Sequence, residues 1–292
     1  MQEYENRFLA SEVPSRPADE VRFHVIPVPY EASVSYGDGT GRGPEAILNA
    51  SNQLELCDGI GFPGHGGIFT QPPVDCSGEP ETVMERIAEA VNKALDYGAI
   101  PVVLGGEHSL SYGELVALKQ HYGRFGLIQF DAHADLRDSY EGSRWSHACA
   151  MCRAVKDLNL PLIQIGNRIF CREELNARKS FHVLSWDAPQ LWREGVPDCL
   201  VPEDFPENIF ITFDLDGLDP SIIAETGTPV PGGLGWYQAL ELLEKAMHGR
   251  RVLGFDVVEL APREGRIASD FAAASLTYAI MGLISRAHGW ED

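Results

Sequence analysis

The sequence lacks an excess of positive charge, a disulfide framework and any uninterrupted apolar run of membrane-spanning length. Its 292 residues contain 23 lysines and arginines against 43 acidic residues, which gives a net charge of −20. Because nucleic acids and anionic membranes repel such a chain, we expect neither as a partner, and the charge favours a cationic small molecule. The N-terminal stretch is polar, so we expect no signal peptide.

The six cysteines do not form the pattern of a disulfide framework in a chain of this length. Cys149 and Cys152 form one C-x-x-C, but a zinc ribbon requires a second pair, which the sequence does not contain. We therefore interpret both as buried thiols on a helix, and the chain as cytoplasmic with reduced cysteines. The glycine-rich loop at 35–44 is followed by no G-K-[ST], which argues against a phosphate-binding loop.

Short apolar runs alternate with helical patterns along most of the chain. The strand-like runs are at 21–28, 100–104, 125–130, 162–165, 183–185, 209–213 and 251–258. The helical patterns are at 44–51, 81–97, 110–121, 146–155, 236–247 and 268–284. This alternation predicts the α/β class, with a central, mostly parallel sheet covered by helices on both faces. We expect residues 1–20 to form a polar arm, residues 21–292 a single domain, and residues 52–80 irregular structure near the sheet edge.

Metal-type side chains directly follow four of the predicted strands. Asp131, His133 and Asp135 occupy alternating positions after the strand at 125–130, so an extended backbone can point them to one side. His108 follows the strand at 100–104, and Asp214 and Asp216 follow the strand at 209–213. Glu259 follows the strand at 251–258. Because parallel strands end at the same edge of a sheet, we expect these groups to meet there.

Two histidines and four aspartates are too many ligands for one ion and suit two. Bridging carboxylates allow two cations to lie ~3.5–4 Å apart. Oxygen-rich coordination with one imidazole per ion favours Mn²⁺ over Zn²⁺, although Ni²⁺, Co²⁺ or Fe²⁺ could bind in vitro. Mg²⁺ is less suitable because it prefers oxygen to imidazole.

Four motifs in this order resemble the ureohydrolases, the family of arginase and agmatinase: G-G-E-H-S, F-D-A-H-A-D, F-D-L-D-G-L-D-P and T-G-T-P-V-P-G-G-L. The resemblance extends from about residue 37 to the C-terminal helix. It implies a three-layer α/β/α sandwich of the arginase/deacetylase type, two Mn²⁺ per subunit, and a homotrimer or homohexamer. It also implies hydrolysis of a guanidino compound, a linear amidine, to urea and an amine. One manganese would bind His108, Asp131, Asp135 and Asp214, and the other His133, Asp131, Asp214 and Asp216.

The resemblance also implies roles for three residues. Two cations can lower the pKa of a water that they share, which supplies a nucleophile strong enough for a guanidinium at neutral pH. Asp135 would orient this water and relay a proton. Glu259 would hold the guanidinium by paired hydrogen bonds, and His147 would protonate the leaving amine. A capping or surface role for His147 stays open.

The segment after D-A-H-A-D resembles agmatinases, which favours agmatine as the substrate and putrescine and urea as the products, a step of polyamine biosynthesis. Asp138 or Glu141 could attract the second positive charge of agmatine, or could pair with Arg137 instead. Val230 stands where many agmatinases have Glu, and Glu225 where the family usually has Gly. Four alternatives remain: an arginase, a guanidinobutyrase, a single-ion amidohydrolase of the deacetylase type, and a non-catalytic α/β protein that binds a small ligand.

Overall fold

A computed structural model describes residues 6–290, and the strands within this range form one sheet of eight. The strands are β1 (Phe23–Val28), β2 (Ile68–Thr70), β3 (Ile100–Gly105), β4 (Gly126–Phe130), β5 (Leu162–Ile165), β6 (Leu184–Trp186), β7 (Asn208–Asp214) and β8 (Arg251–Val258). Their order across the sheet is β2-β1-β3-β8-β7-β4-β5-β6, and every neighbouring pair is parallel. The predicted fold class is confirmed, with a fully parallel sheet.

Helices cover both faces of this sheet. They are α1 (Gly43–Ser51), α2 (Pro80–Asp96), α3 (Ser111–Tyr122), α4 (Ala150–Lys156), α5 (Arg172–Ser180), α6 (Ala188–Glu194), α7 (Trp236–Met247) and α8 (Ala268–Ala287). One apolar core joins the sheet to α1, α7 and α8, and a second joins its opposite face to α2, α3 and α4. Since both faces of the central strands are buried, these strands are apolar along almost their whole length.

The structure corrects the sequence-based prediction in three places. The segment 52–80 is not wholly irregular, because it contains the three-residue edge strand β2. Helices α5 and α6 are not predicted, since α5 buries only Glu174 and Arg178 and so carries no apolar periodicity. The described part of the predicted polar arm buries Phe8, Leu9 and Val13 in the core; residues 1–5 lie outside the described range.

Two further observations concern α4 and α8. Cys152 lies within α4 and Cys149 immediately before it, and both thiols are free and buried, as predicted. Helix α8 is long and apolar enough to cross a membrane by length and composition alone, but 61% of that stretch is buried inside the protein. Such burial is typical of the core helix of a globular fold.

Candidate metal centre

The four strands at the middle of the sheet, β3, β8, β7 and β4, are neighbours, and each is followed by predicted site residues. Two of these residues adopt a left-handed backbone conformation, Asp135 with φ 52° and Glu259 with φ 69°. This conformation is uncommon for residues other than glycine and clusters at functional sites. Both side chains line the shared cleft.

The first half of the cluster surrounds His108, which is fully buried. Its Nδ1 lies 3.2 Å from Asp131 Oδ2, 3.0 Å from Asp135 Oδ2 and 3.4 Å from Asp214 Oδ2. Asp214 also accepts the backbone N–H of Asp216 through its other oxygen, at 2.9 Å. One imidazole nitrogen and three carboxylate oxygens therefore converge on one point.

The second half surrounds His133 and shares Asp131 with the first. His133 Nδ1 lies 3.0 Å from Asp216 Oδ2 and 3.5 Å from Asp131 Oδ1. The two oxygens of Asp131 thus face different histidines, which is the arrangement of a bridging carboxylate. All six predicted ligands are brought together.

The charges of this cluster perturb one another strongly. Burial opposes a charge on His133, but Asp216 and Asp131 raise its pKa to about 12. Burial likewise opposes a charge on His108, yet the adjacent carboxylates raise its pKa well above the usual value. Burial, with Asp131 alongside, raises the pKa of Asp135 to about 6. Carboxylates packed this closely require compensating positive charge, from protonated imidazoles or from metal cations.

The donor set fits divalent metal ions. His108 Nδ1 is buried, has carboxylate oxygens as its neighbours, and makes no hydrogen bond of normal geometry with any group in residues 6–290. Two groups of ligand atoms each lie within 4.8 Å of one another: His108, Asp131 and Asp135, and Asp131, His133 and Asp216. Because Asp131 belongs to both, the cluster could hold two ions side by side.

Glu259 presents one carboxylate oxygen to the same cleft. Its Oε1 accepts the backbone N–H of His108 at 2.7 Å, which fixes the side chain. Its Oε2 lies towards Gly227, and both residues line the cleft with Asp214 and Asp216. Burial, with Glu107 nearby, raises the pKa of Glu259 to about 8. A cation bound beside it would favour the ionised form.

His147 lies at the wall of the cleft and is held by two serines. Its backbone N–H donates to Ser33 Oγ at 3.0 Å, and its ring nitrogens lie 3.2 Å from Ser33 Oγ and 3.0 Å from Ser35 Oγ. Ser33 is in turn held by the buried carboxylate of Glu107, to which its hydroxyl donates at 2.9 Å. The imidazole therefore has a fixed orientation beside the metal-type cluster.

The structure does not bring Asp138 or Glu141 to the cleft. Asp138 forms ion pairs with Arg153 and Lys156, and these two cations already neutralise its carboxylate. Glu141 is exposed and lies outside the residues that line the cleft. Arg137 pairs with neither acid; its guanidinium lies over the ring of Tyr140, 4.9 Å from the centroid. The substrate contacts predicted for the two acids are therefore corrected.

The two departures from the family pattern have structural partners of their own. Glu225 is buried and accepts hydrogen bonds from the Ser269 hydroxyl and from Arg266. Val230 offers its carbonyl oxygen to Arg168 at 2.6 Å, and the same guanidinium binds the Asp216 carbonyl at 2.7 Å. Arg168 thereby joins the loop that contains Val230 to the segment that contains the predicted ligand Asp216.

A buried polar network supports Asp131 and is missed by the sequence reasoning. Gln129 Nε2 donates to Asp131 Oδ2 at 2.6 Å, and Gln164 donates to Gln129 at 2.5 Å. Arg178 donates to Gln164 at 2.7 Å and to Asn167 at 2.6 Å, and Asn167 binds the Asp131 carbonyl at 2.9 Å. The sequence feature that could have indicated this network is a glutamine in each of two otherwise apolar strands, β4 and β5, at positions that pair in the sheet.

Comparisons with known proteins agree with this geometry. The family model described as "Arginase family" matches residues 21–282. The N(1)-aminopropylagmatine ureohydrolase of Thermus thermophilus is 38% identical to this chain, and the match covers 94% of each protein. The N(1)-aminopropylagmatine ureohydrolase of Synechocystis sp. is 36% identical, and the match covers 94% of this chain and 93% of that one. The solved agmatine ureohydrolase of Thermoplasma volcanium is similar with a TM-score of 0.86 and 27% identity, covering 97% of this chain and 96% of that one. The match of the family model to most of the chain shows that this protein belongs to the arginase family.

Proposed function

We propose that this protein is a binuclear manganese hydrolase that cleaves the guanidino group of agmatine to give putrescine and urea. The observation that carries the proposal is the carboxylate of Glu259, which faces the cluster of six metal-type ligands across one cleft. A guanidinium is a planar cation with paired N–H donors, and a carboxylate is its natural partner. The acidic cleft and the net charge of −20 both favour a cationic substrate.

The residues divide the work as follows. Two divalent cations, held by the six histidine and aspartate ligands, would supply Lewis acidity that lowers the pKa of water. Glu259 binds the guanidinium through its free oxygen and fixes its orientation. Asp135, whose carboxylate lines the cleft 3.0 Å from His108 Nδ1, accepts and passes on a proton at the face of the cluster. His147, oriented by Ser33 and Ser35, gives a proton to the leaving amine.

A second candidate substrate is N(1)-aminopropylagmatine. The cleft continues beyond His147 into a side lobe lined in part by Tyr140, Ile169 and Phe170. This lobe offers apolar and aromatic surface to the three methylene groups of the aminopropyl extension. The two relatives at 36% and 38% identity carry this activity in their names. Arg137 also lines the lobe, and its charge would instead suit the carboxylate of guanidinobutyrate.

Urea release separates these substrates. Purified Mn²⁺-loaded protein is assayed with agmatine, N(1)-aminopropylagmatine, guanidinobutyrate and arginine, and kcat/KM is compared. Asp131→Asn removes the charge and one of the two oxygens of the shared carboxylate and should abolish activity, whereas Asp75→Asn, at an exposed aspartate paired with Arg86, is the matched control and should keep it. We also propose that the protein is cytoplasmic and that it forms a trimer or a hexamer. Light scattering on the purified protein measures the number of chains in the assembly.

A kcat/KM for agmatine at least tenfold above the others supports the agmatinase assignment. A preference for one of the other compounds keeps the reaction and changes the substrate. Protein that holds two metal ions per chain and releases urea from none of the four contradicts the proposal.

A further inference from the structure

A chain of buried polar groups extends from the back of His108 into the core, away from the metal-type ligands. His108 Nε2 lies 2.8 Å from the hydroxyl oxygen of Thr212, and that hydroxyl lies 2.7 Å from Asp256 Oδ1. Thr212 on β7 and Asp256 on β8 are direct neighbours in the sheet. All three residues are fully buried, so water does not compete for these hydrogen bonds.

The number of available hydrogens determines which group donates in each hydrogen bond between His108, Thr212 and Asp256. An ionised carboxylate only accepts hydrogen bonds, so Thr212 must donate its single hydroxyl hydrogen to Asp256. The oxygen of Thr212 is then free to accept, and the hydrogen must come from Nε2 of His108. In a neutral imidazole the other nitrogen, Nδ1, therefore carries the lone pair. This is the nitrogen that faces Asp131 and Asp135 at 3.2 and 3.0 Å.

The hydrogen bonds that Asp256 accepts favour its ionised form. Besides Thr212, it accepts the Ser111 hydroxyl at 2.7 Å and the Phe213 backbone N–H at 3.1 Å. Glu114 lies against it, fully buried, and neither Glu114 oxygen has a hydrogen-bond donor among residues 6–290. Burial and the neighbouring Asp256 raise the pKa of Glu114 well above the usual value. Burial also raises the pKa of Asp256, but its donors favour the charged form there.

We propose that Thr212 and Asp256 are positioning residues that hold His108 as the Nε2–H tautomer, with Nδ1 presented to the metal, and that Glu114 is their neutral neighbour. The inference rests on the two-metal hydrolase proposed above. Partners behind a ligating histidine fix its tautomer and orientation, and their loss typically lowers metal affinity by roughly 10- to 100-fold. Here a threonine hydroxyl stands between the histidine and the carboxylate.

Metal affinity of the metal-free protein tests the inference without an activity assay. Thr212→Val removes the hydroxyl and leaves the Nε2–H without an acceptor, so Mn²⁺ titration should show one site weakened by roughly 10- to 100-fold. Thr212→Ser restores a hydroxyl and should bind within threefold of wild type. Thr277→Val is the matched control, because this buried threonine on α8 bonds to the Ala273 carbonyl instead. Asp256→Asn should weaken Mn²⁺ binding more than Glu114→Gln, which exchanges a neutral carboxyl group for a neutral amide of similar shape.

A second measurement uses wild-type protein and does not depend on whether Thr212→Val folds. In ¹⁵N-histidine NMR of Zn²⁺-loaded protein, His108 should show a protonated Nε2 and a metal-bound Nδ1. Wild-type Mn²⁺ affinity in Thr212→Val, or a metal-bound Nε2 in the NMR spectrum, would overturn the inference and leave the two-metal centre standing. Wild-type protein that binds no divalent metal would overturn both proposals together.

Discussion

Glu259→Gln separates guanidinium binding from the integrity of the fold. One oxygen of Glu259 accepts the His108 backbone N–H at 2.7 Å, and a glutamine retains that acceptor. The second oxygen, which lies towards Gly227 and the cleft, is replaced by an amide NH₂ group. A guanidinium N–H would then meet a donor instead of an acceptor, while the metal-type ligands keep their positions.

The expected loss follows from these contacts. A hydrogen bond to a charged group contributes about 1.5–3 kcal/mol, and the donor–donor clash brings the total to about 3–4 kcal/mol. Since 1.36 kcal/mol corresponds to a factor of ten, kcat/KM should fall by roughly 150- to 900-fold. Urea release measured over a range of agmatine concentrations gives this ratio, and metal analysis of the same preparation gives the number of bound ions.

A control variant shows whether the loss of kcat/KM is specific to Glu259. Glu241→Gln, at a surface position of α7 that pairs with Lys245, should leave kcat/KM within twofold of wild type. If Glu259→Gln keeps both metal ions and loses less than fivefold in kcat/KM, then Glu259 does not bind the guanidinium and the reasoning is refuted.

Three further predictions concern stability. Mn²⁺ at 100 times its Kd should stabilise the protein by about 2.7 kcal/mol per site, seen as a higher Tm by calorimetry, and Asp131→Asn should lose this gain. Gly106→Ala would place a Cβ 2.0 Å from a backbone carbonyl oxygen, so we expect a loss of more than about 3 kcal/mol in urea unfolding. Gly235→Ala, whose added Cβ meets no atom of the described part of the chain within 4 Å, should cost at most about 1 kcal/mol, and equal costs would contradict the packing argument. Hydrogen bonds from Ser221 and from backbone N–H groups lower the pKa of Asp219 to about 2, so its contribution to stability is present above about pH 4 and lost towards pH 2. The difference between wild type and Asp219→Asn in unfolding experiments should shrink over that interval, and a constant difference would contradict it.

The position of the centre could be predicted from the sequence because each part of it is local. Asp131, His133 and Asp135 share one short segment, and the other ligands directly follow apolar runs that can only be buried strands. Parallel strands must end at a common edge, so the ligands converge without any knowledge of strand order. The order itself, with β8 between β3 and β7, depends on packing that no local pattern records.

The supporting residues could not be predicted because their partners are distant in sequence. Ser33 contacts His147 across 114 residues, and Thr212 contacts Asp256 across 44. Asp138 shows the opposite error: it is close in sequence to the ligands, yet Arg153 and Lys156 hold it away from the cleft. Asp138 lies in the same loop after β4 as the ligands do, so proximity along the chain does not by itself predict a contact with the cleft.

The most direct test of the two-metal account is a titration of metal-free protein with Mn²⁺, following bound metal and urea release from agmatine in the same samples. The cluster built around His108 and His133, with Asp131 shared, predicts two ions per chain and full activity only as the second site fills. Full activity with a single ion per chain, or binding that stops at one, would contradict it.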